Sequence, residues 1–178
     1  LALARALESE LERRTNARVV LTRTDDRAVS IQERAERANR ARADIVLSLH
    51  FDGAPSAAAH GVTAICPPAT YGGSSEVAET GPPALVLVPW RDVAVRHAVR
   101  SRQLTEAILS ALELRGLGPA RVREIVPYAL LGVNAPGIVL ECGMLTSDAD
   151  RQRITGPQGI SNLAQAIAAG IDAYARAQ

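Results

Sequence analysis

The chain has 178 residues, enough for one domain with a sizeable core, and its 20 basic side chains nearly balance 19 acidic ones. That balance excludes a whole-chain field for nucleic acid or an anionic membrane, and an aromatic content of 3% excludes a broad stacking platform for bases or sugars. No apolar run reaches the roughly 18 residues of a membrane span. Cys66 and Cys142 are too few for a disulfide framework and do not have zinc-ribbon spacing, so each is expected to be a buried free thiol.

The first segment, LALARALESELERR, sets Leu1, Leu3, Leu7 and Leu11 near helical spacing opposite Glu and Arg, and predicts a helix. No capping residue precedes it and the only methionine is Met144, so a segment upstream of Leu1 is expected to be missing. Residues 17–23, ARVVLTR, are β-branched and apolar between turn residues and predict a strand. Ser30-Ile31-Gln32-Glu33 is a capping box that opens a helix. Its modest apolar face, Ile31, Ala35, Ala38 and Ala41 or Ala43, suits close packing on a sheet.

Asp44 to His50 has no polar alternation and predicts a strand covered on both faces, which makes 17–50 a candidate parallel crossover unit. A loop follows from Phe51 to His60, and then a strand from Gly61 to Cys66, stopped by Pro67-Pro68. Residues 69–83 form the longest loop, a plausible rim, and 85–88 are a short apolar run before Pro89 and Trp90, which reads as a core anchor. Asp92 to Leu114 predicts the longest helix, with Val95, Val99, Leu104, Ile108 and Leu112 inward and Gly116 and Gly118 closing it. Arg121 to Leu131 leads to an apolar strand, Gly137 to Leu140, that ends on Glu141. Ser147 caps a short turn, and Ser161 opens a final amphipathic helix to about residue 175.

A doubly wound sheet places its chemistry at the carboxyl ends of strands, where His50 and Glu141 both fall. They are the candidate site residues of a metal-assisted hydrolase. His60 and His97 read as surface or packing histidines.

Three segments carry a resemblance: VVLTRTDD with the helix SIQERAERANRARAD, the strand IVLSLHFDG, and NAPGIVLECGMLTSDAD. In order and spacing they resemble the zinc-dependent N-acetylmuramoyl-L-alanine amidases of type 3. The resemblance implies one α/β domain over 1–178, a twisted, mostly parallel central sheet with helices on both faces. It also implies hydrolysis of the amide between N-acetylmuramic acid and L-alanine in peptidoglycan, with Zn2+ as cofactor. His50 matches the family's Ser-x-His zinc ligand and Glu141 its catalytic base; the family's other two ligands would precede Leu1. Asp52 departs from the family's asparagine, and it either orients the ligand shell, alters substrate binding or is a solvated loop acid. Arg23, Arg34 and Asn39 fit the pattern as structural ties.

The implied partners are peptidoglycan stem peptides and muropeptides, with a regulatory protein as a further candidate. The implied location is outside the cytoplasmic membrane, periplasmic or associated with the cell wall. The alternatives are an amidase-like module that binds peptidoglycan or a regulator without cleaving it and, more remotely, a general zinc peptidase on a similar sheet.

Overall fold

The computed structural model describes residues 1–56, 59–69 and 88–178. Helices α1 (Ala2–Arg14) and α2 (Ile31–Arg40) precede strands β1 (Val46–Asp52) and β2 (Val62–Cys66). Then come α3 (Ala98–Glu113), β3 (Ala120–Glu124), β4 (Gly137–Met144), α4 (Asp148–Thr155) and α5 (Gly159–Arg176).

Four strands among the described residues form one sheet in the order β1-β4-β2-β3. β4 runs parallel to β1 and antiparallel to β2, and β2 runs parallel to β3, so the sheet is mostly parallel as expected. One face is covered by α1, α3 and α5. Leu47, Leu49, Val62, Ala64, Cys66, Ala120, Val122, Ile138, Leu140 and Cys142 meet Leu104, Ile108, Leu112, Leu163 and Ile167 in the larger core. Gly170 of α5 lies so close to α3 that a Cβ there would stand 2.5 Å from the Ile108 Cα, which lets the two helices touch along their backbones. The second face has a smaller core under only part of the sheet, where Val139, Val46 and Ile65 meet Ala35 of α2 and Leu130, Val133 and Ala135.

Several local expectations hold. Ser30 caps α2, with both bonds of the capping box formed, and Ala35 is the helix residue fully buried. Ser147 caps α4 through the N–H of Asp150. Leu3, Leu7 and Leu11 are the buried stripe of α1. Asn39 ties its helix to a distant loop, donating to Gly132 and accepting from the N–H of Asn134, both at 2.8 Å.

Other expectations are corrected. Residues 17–23 are not a strand: no strand among the described residues supplies a ladder, and Arg18 and Arg37 anchor the segment by side-chain bonds to Ala41 and Thr22 carbonyls instead. The crossover from 17 to 50 is therefore not formed. β1 is half-buried rather than covered on both faces, because it lies at the sheet edge, and it continues two residues past His50. β4 likewise runs three residues past Glu141.

The long helix begins only at Ala98; 90–92 and 94–97 are tighter 3-10 turns. Its phase also shifts, so that Val99 is 62% exposed while Ser101 and Thr105 are buried. The Ser101 hydroxyl is needed inside, where it accepts from the N–H of Gly137 at 2.9 Å. Strand β3 was not anticipated in the segment read as a lead-in. Trp90 is 47% exposed rather than a core anchor, lying across Gly132. The final helix opens two residues earlier than expected. Residues 85–87 of the short apolar run and 70–83 of the long loop lie outside the described residues.

Candidate functional site

The second face of the sheet is apolar where α2 and the 128–130 turn cover it and polar beyond them. Alternation decides which residues meet there. Ile138, Leu140 and Cys142 point into the larger core, so Val139 and Glu141 point to the opposite face. In β1, Leu47 and Leu49 are the core residues, which leaves Ser48 and His50 on the face of Glu141. Register then pairs His50 directly with Glu141. The two residues singled out from the sequence are thus neighbours across adjacent parallel strands.

His50 is exposed, and its Nε2 lies 2.8 Å from the Ser48 hydroxyl, two residues earlier on the same face. Nδ1 makes no hydrogen bond to a described residue. A ring held through one nitrogen with the other uncommitted suits a metal donor. Asp52 lies past a register irregularity between His50 and Asp52, and its carboxylate accepts from the N–H of Gly53 at 2.7 Å. It sits near enough for its charge to act on Glu141.

Glu141 is partly buried, and burial pushes its carboxyl above the usual glutamate range. The His50 ring opposes that rise and the Asp52 charge adds to it. A base that holds its proton more tightly than a free carboxylate is matched to taking one from water. The same rise has a cost in stability. Below the ordinary glutamate pKa both folded and unfolded chains are protonated, and as pH rises from there the unfolded chain ionises first. Stability is therefore lost through the window between the unfolded and the raised folded pKa. Glu141→Gln is expected to melt above the parent at pH 7 and level with it near pH 3, as followed by circular dichroism; equal melting at both values would refute the burial of an ionised group.

Cys142, the next residue, points into the core, and burial pushes its thiol up to about 12. It and Cys66 are buried and free, as the sequence suggested. His97 bonds to the Asn134 side chain at 3.0 Å. The His60 carbonyl accepts from Arg121.

A zinc site needs three protein donors and an open position. Among the described residues no three His, Cys, Asp or Glu side chains converge to hold a metal. His50 fits as one donor, but the set is not completed by the residues around it.

Sequence reading missed two parts of this region. One is Asp150, a buried carboxylate whose Oδ2 accepts from the N–H groups of Gly61 and Met144, both at 2.8 Å, and whose Oδ1 accepts from Arg153. It fastens the start of β2 to the end of β4. A buried acid three residues after a cap reads in sequence as ordinary first-turn charge, and only the fold brings the Gly61 amide to it. The other is the strand β3, whose two arginines share the face of Glu141.

Comparison with known structures agrees with this architecture. The amidase Ami1 from Mycobacterium smegmatis superposes with a TM-score of 0.74 at 21% identity, over 99% of this chain and 75% of that one. The CwlD amidase from Clostridioides difficile, solved in complex with the GerS lipoprotein, also gives 0.74, at 18% identity over 99% and 84%. The catalytic domain of CwlV from Paenibacillus polymyxa gives 0.68, at 21% identity over 99% and 83%. No curated protein sequence matches the chain. The family model described as N-acetylmuramoyl-L-alanine amidase, Amidase_3, matches residues 1–173, and with that span the chain belongs to the Amidase_3 family.

Proposed function

We propose that the chain is a single amidase domain that hydrolyses the amide between N-acetylmuramic acid and L-alanine in peptidoglycan. The pairing of His50 with Glu141 across β1 and β4, on the open part of the sheet, is the observation that carries this reading. Glu141 takes a proton from the water that attacks the amide carbonyl and passes it to the departing nitrogen. Its raised pKa suits both transfers. His50 would serve as one donor to zinc, its ring oriented by Ser48. Zinc, when bound, would polarise the carbonyl and acidify the water. Such a substrate lies outside the cytoplasmic membrane, which places the protein's work in the periplasm or cell wall. Muropeptides and stem peptides are its partners in this reading. A regulatory protein is a further one, by analogy with the lipoprotein held by the CwlD amidase.

A second reading, a module that binds peptidoglycan without cleaving it, is favoured by the lack of three converging metal donors among the described residues. Elemental analysis separates the two, made on the protein in its longest natural form beside its His50→Ala variant. One zinc per chain in the parent, lost in the variant, is the expected result. A metal-free parent that still binds muropeptides would establish the binding module instead.

A further inference from the structure

Strand β2 brings a third side chain against the paired site residues. Val62, Ala64 and Cys66 belong to the larger core, so Thr63 and Ile65 point to the face of Glu141. Register sets Thr63 directly opposite Glu141 and Ile65 opposite Val139. Ile65 joins Val139 in the smaller apolar core, whereas Thr63 continues the row of His50 and Glu141. Glu141 therefore stands between an imidazole on β1 and a hydroxyl on β2.

Thr63 is only 9% exposed, so its hydroxyl has little access to bulk water. Among the described residues, neither that hydroxyl nor the Glu141 carboxylate makes a hydrogen bond, and each is left unclaimed by a third residue. Arg121, beside Thr63 on β3, donates instead to the carbonyl of His60 at 3.0 Å. Directly opposed residues of an antiparallel pair have Cβ atoms about 4.5–5.5 Å apart. Threonine carries its oxygen on Cβ itself, and the glutamate chain is long enough to span the remainder. Rotation of the Glu141 side chain alone then brings a carboxylate oxygen to the Thr63 hydroxyl, with neither backbone moving.

We propose that Thr63 is a positioning residue for Glu141: its hydroxyl donates to one carboxylate oxygen and holds the other toward His50, on the side where the attacking water is deprotonated. The role in hydrolysis rests on the amidase reading above. A glutamate side chain has several free torsions, and ordering them at the moment of proton transfer costs conformational entropy. A hydroxyl fixed on a paired strand meets that cost in advance, through a short charge-assisted bond to the ionised carboxylate. The β-branched shape of threonine suits a strand, but valine has the same shape and would suit it as well. The hydroxyl is the part that strand formation does not require.

The test compares Thr63→Val and Thr63→Ser with the parent, each in the longest natural form of the protein. Muropeptide cleavage gives kcat and KM, and infrared spectroscopy follows the carboxylate stretch of Glu141, identified as the band lost in Glu141→Gln. Thr63→Val is expected to lower kcat by about 10- to 100-fold, the range for a hydrogen bond to a charged group, with KM and the melting temperature held. Its Glu141 band should shift, and Thr63→Ser, which restores the hydroxyl, should recover both the band and most of kcat. A Thr63→Val variant as fast as the parent, a Thr63→Ser variant as slow as Thr63→Val, or a band that stays in place in Thr63→Val overturns the positioning role and leaves the amidase reading standing. A band that shifts in Thr63→Val and returns in Thr63→Ser, in a protein whose parent cleaves no muropeptide, supports the bond between Thr63 and Glu141 and overturns the amidase reading.

Discussion

Glu141→Gln is expected to slow muropeptide cleavage by about 10²- to 10⁴-fold, the usual contribution of a positioned general base. Glutamine keeps the shape of the side chain and its place beside His50, but it cannot accept a proton from water. Substrate binding and the circular dichroism spectrum should therefore stay close to those of the parent while kcat collapses. The pH profile of the parent adds a second reading. Because burial raises the Glu141 carboxyl, the acidic limb of kcat/KM should rise at a pH above the ordinary glutamate range and vanish in the variant. A variant within threefold of the parent would remove Glu141 from the chemistry.

Asp150→Ala is expected to cost about 3–5 kcal/mol of folding stability, the range for removing one partner of a buried charged pair. Its carboxylate is 3% exposed and receives the Gly61 and Met144 N–H groups and the Arg153 guanidinium, all at 2.8 Å. Alanine leaves two amides and a largely buried cation without that acceptor. Urea denaturation should show the midpoint falling with little change in slope, and Asp150→Asn should fall between the two. A loss below about 1 kcal/mol would mean that water replaces the carboxylate. The clamp also bears on the site, since Gly61 leads into β2 and Met144 ends β4. Reduced activity at temperatures where the variant remains folded would report displacement of Glu141.

The two candidate site residues stood out because each lies within an apolar strand where a polar side chain is out of place. Ser30 and Ser147 were legible as caps because a cap is a local bond between residues a few positions apart. What could not be read was long-range. Residues 17–23 have the composition of a strand, yet strand formation requires a hydrogen-bonding neighbour, and composition does not reveal whether one is present. The reverse holds for Ala120–Glu124, whose two arginines weaken the apolar pattern although β2 pairs with it throughout. Val99 was misplaced because Ser101 and Thr105 occupy the inward face of α3; the serine hydroxyl serves the Gly137 amide, a partner 36 positions away. The arginine pair and the Asp150 clamp were hidden for the same reason, that their partners belong to other strands.

The mixed neighbours of β4 govern when this site can exist during synthesis. His50 and Glu141 are about ninety positions apart, and the contacts of β4 with both β1 and β2 close loops of similar length, so their formation is slow relative to local helix formation. As the chain leaves the ribosome, β1 emerges well before β4, with Leu47 and Leu49 lacking the strand that covers their flank. Only after residue 144 has emerged does β4 insert between β1 and β2, and in that one event the sheet closes and Glu141 arrives beside His50. The pairing of the two candidate site residues is thereby withheld from every shorter nascent chain.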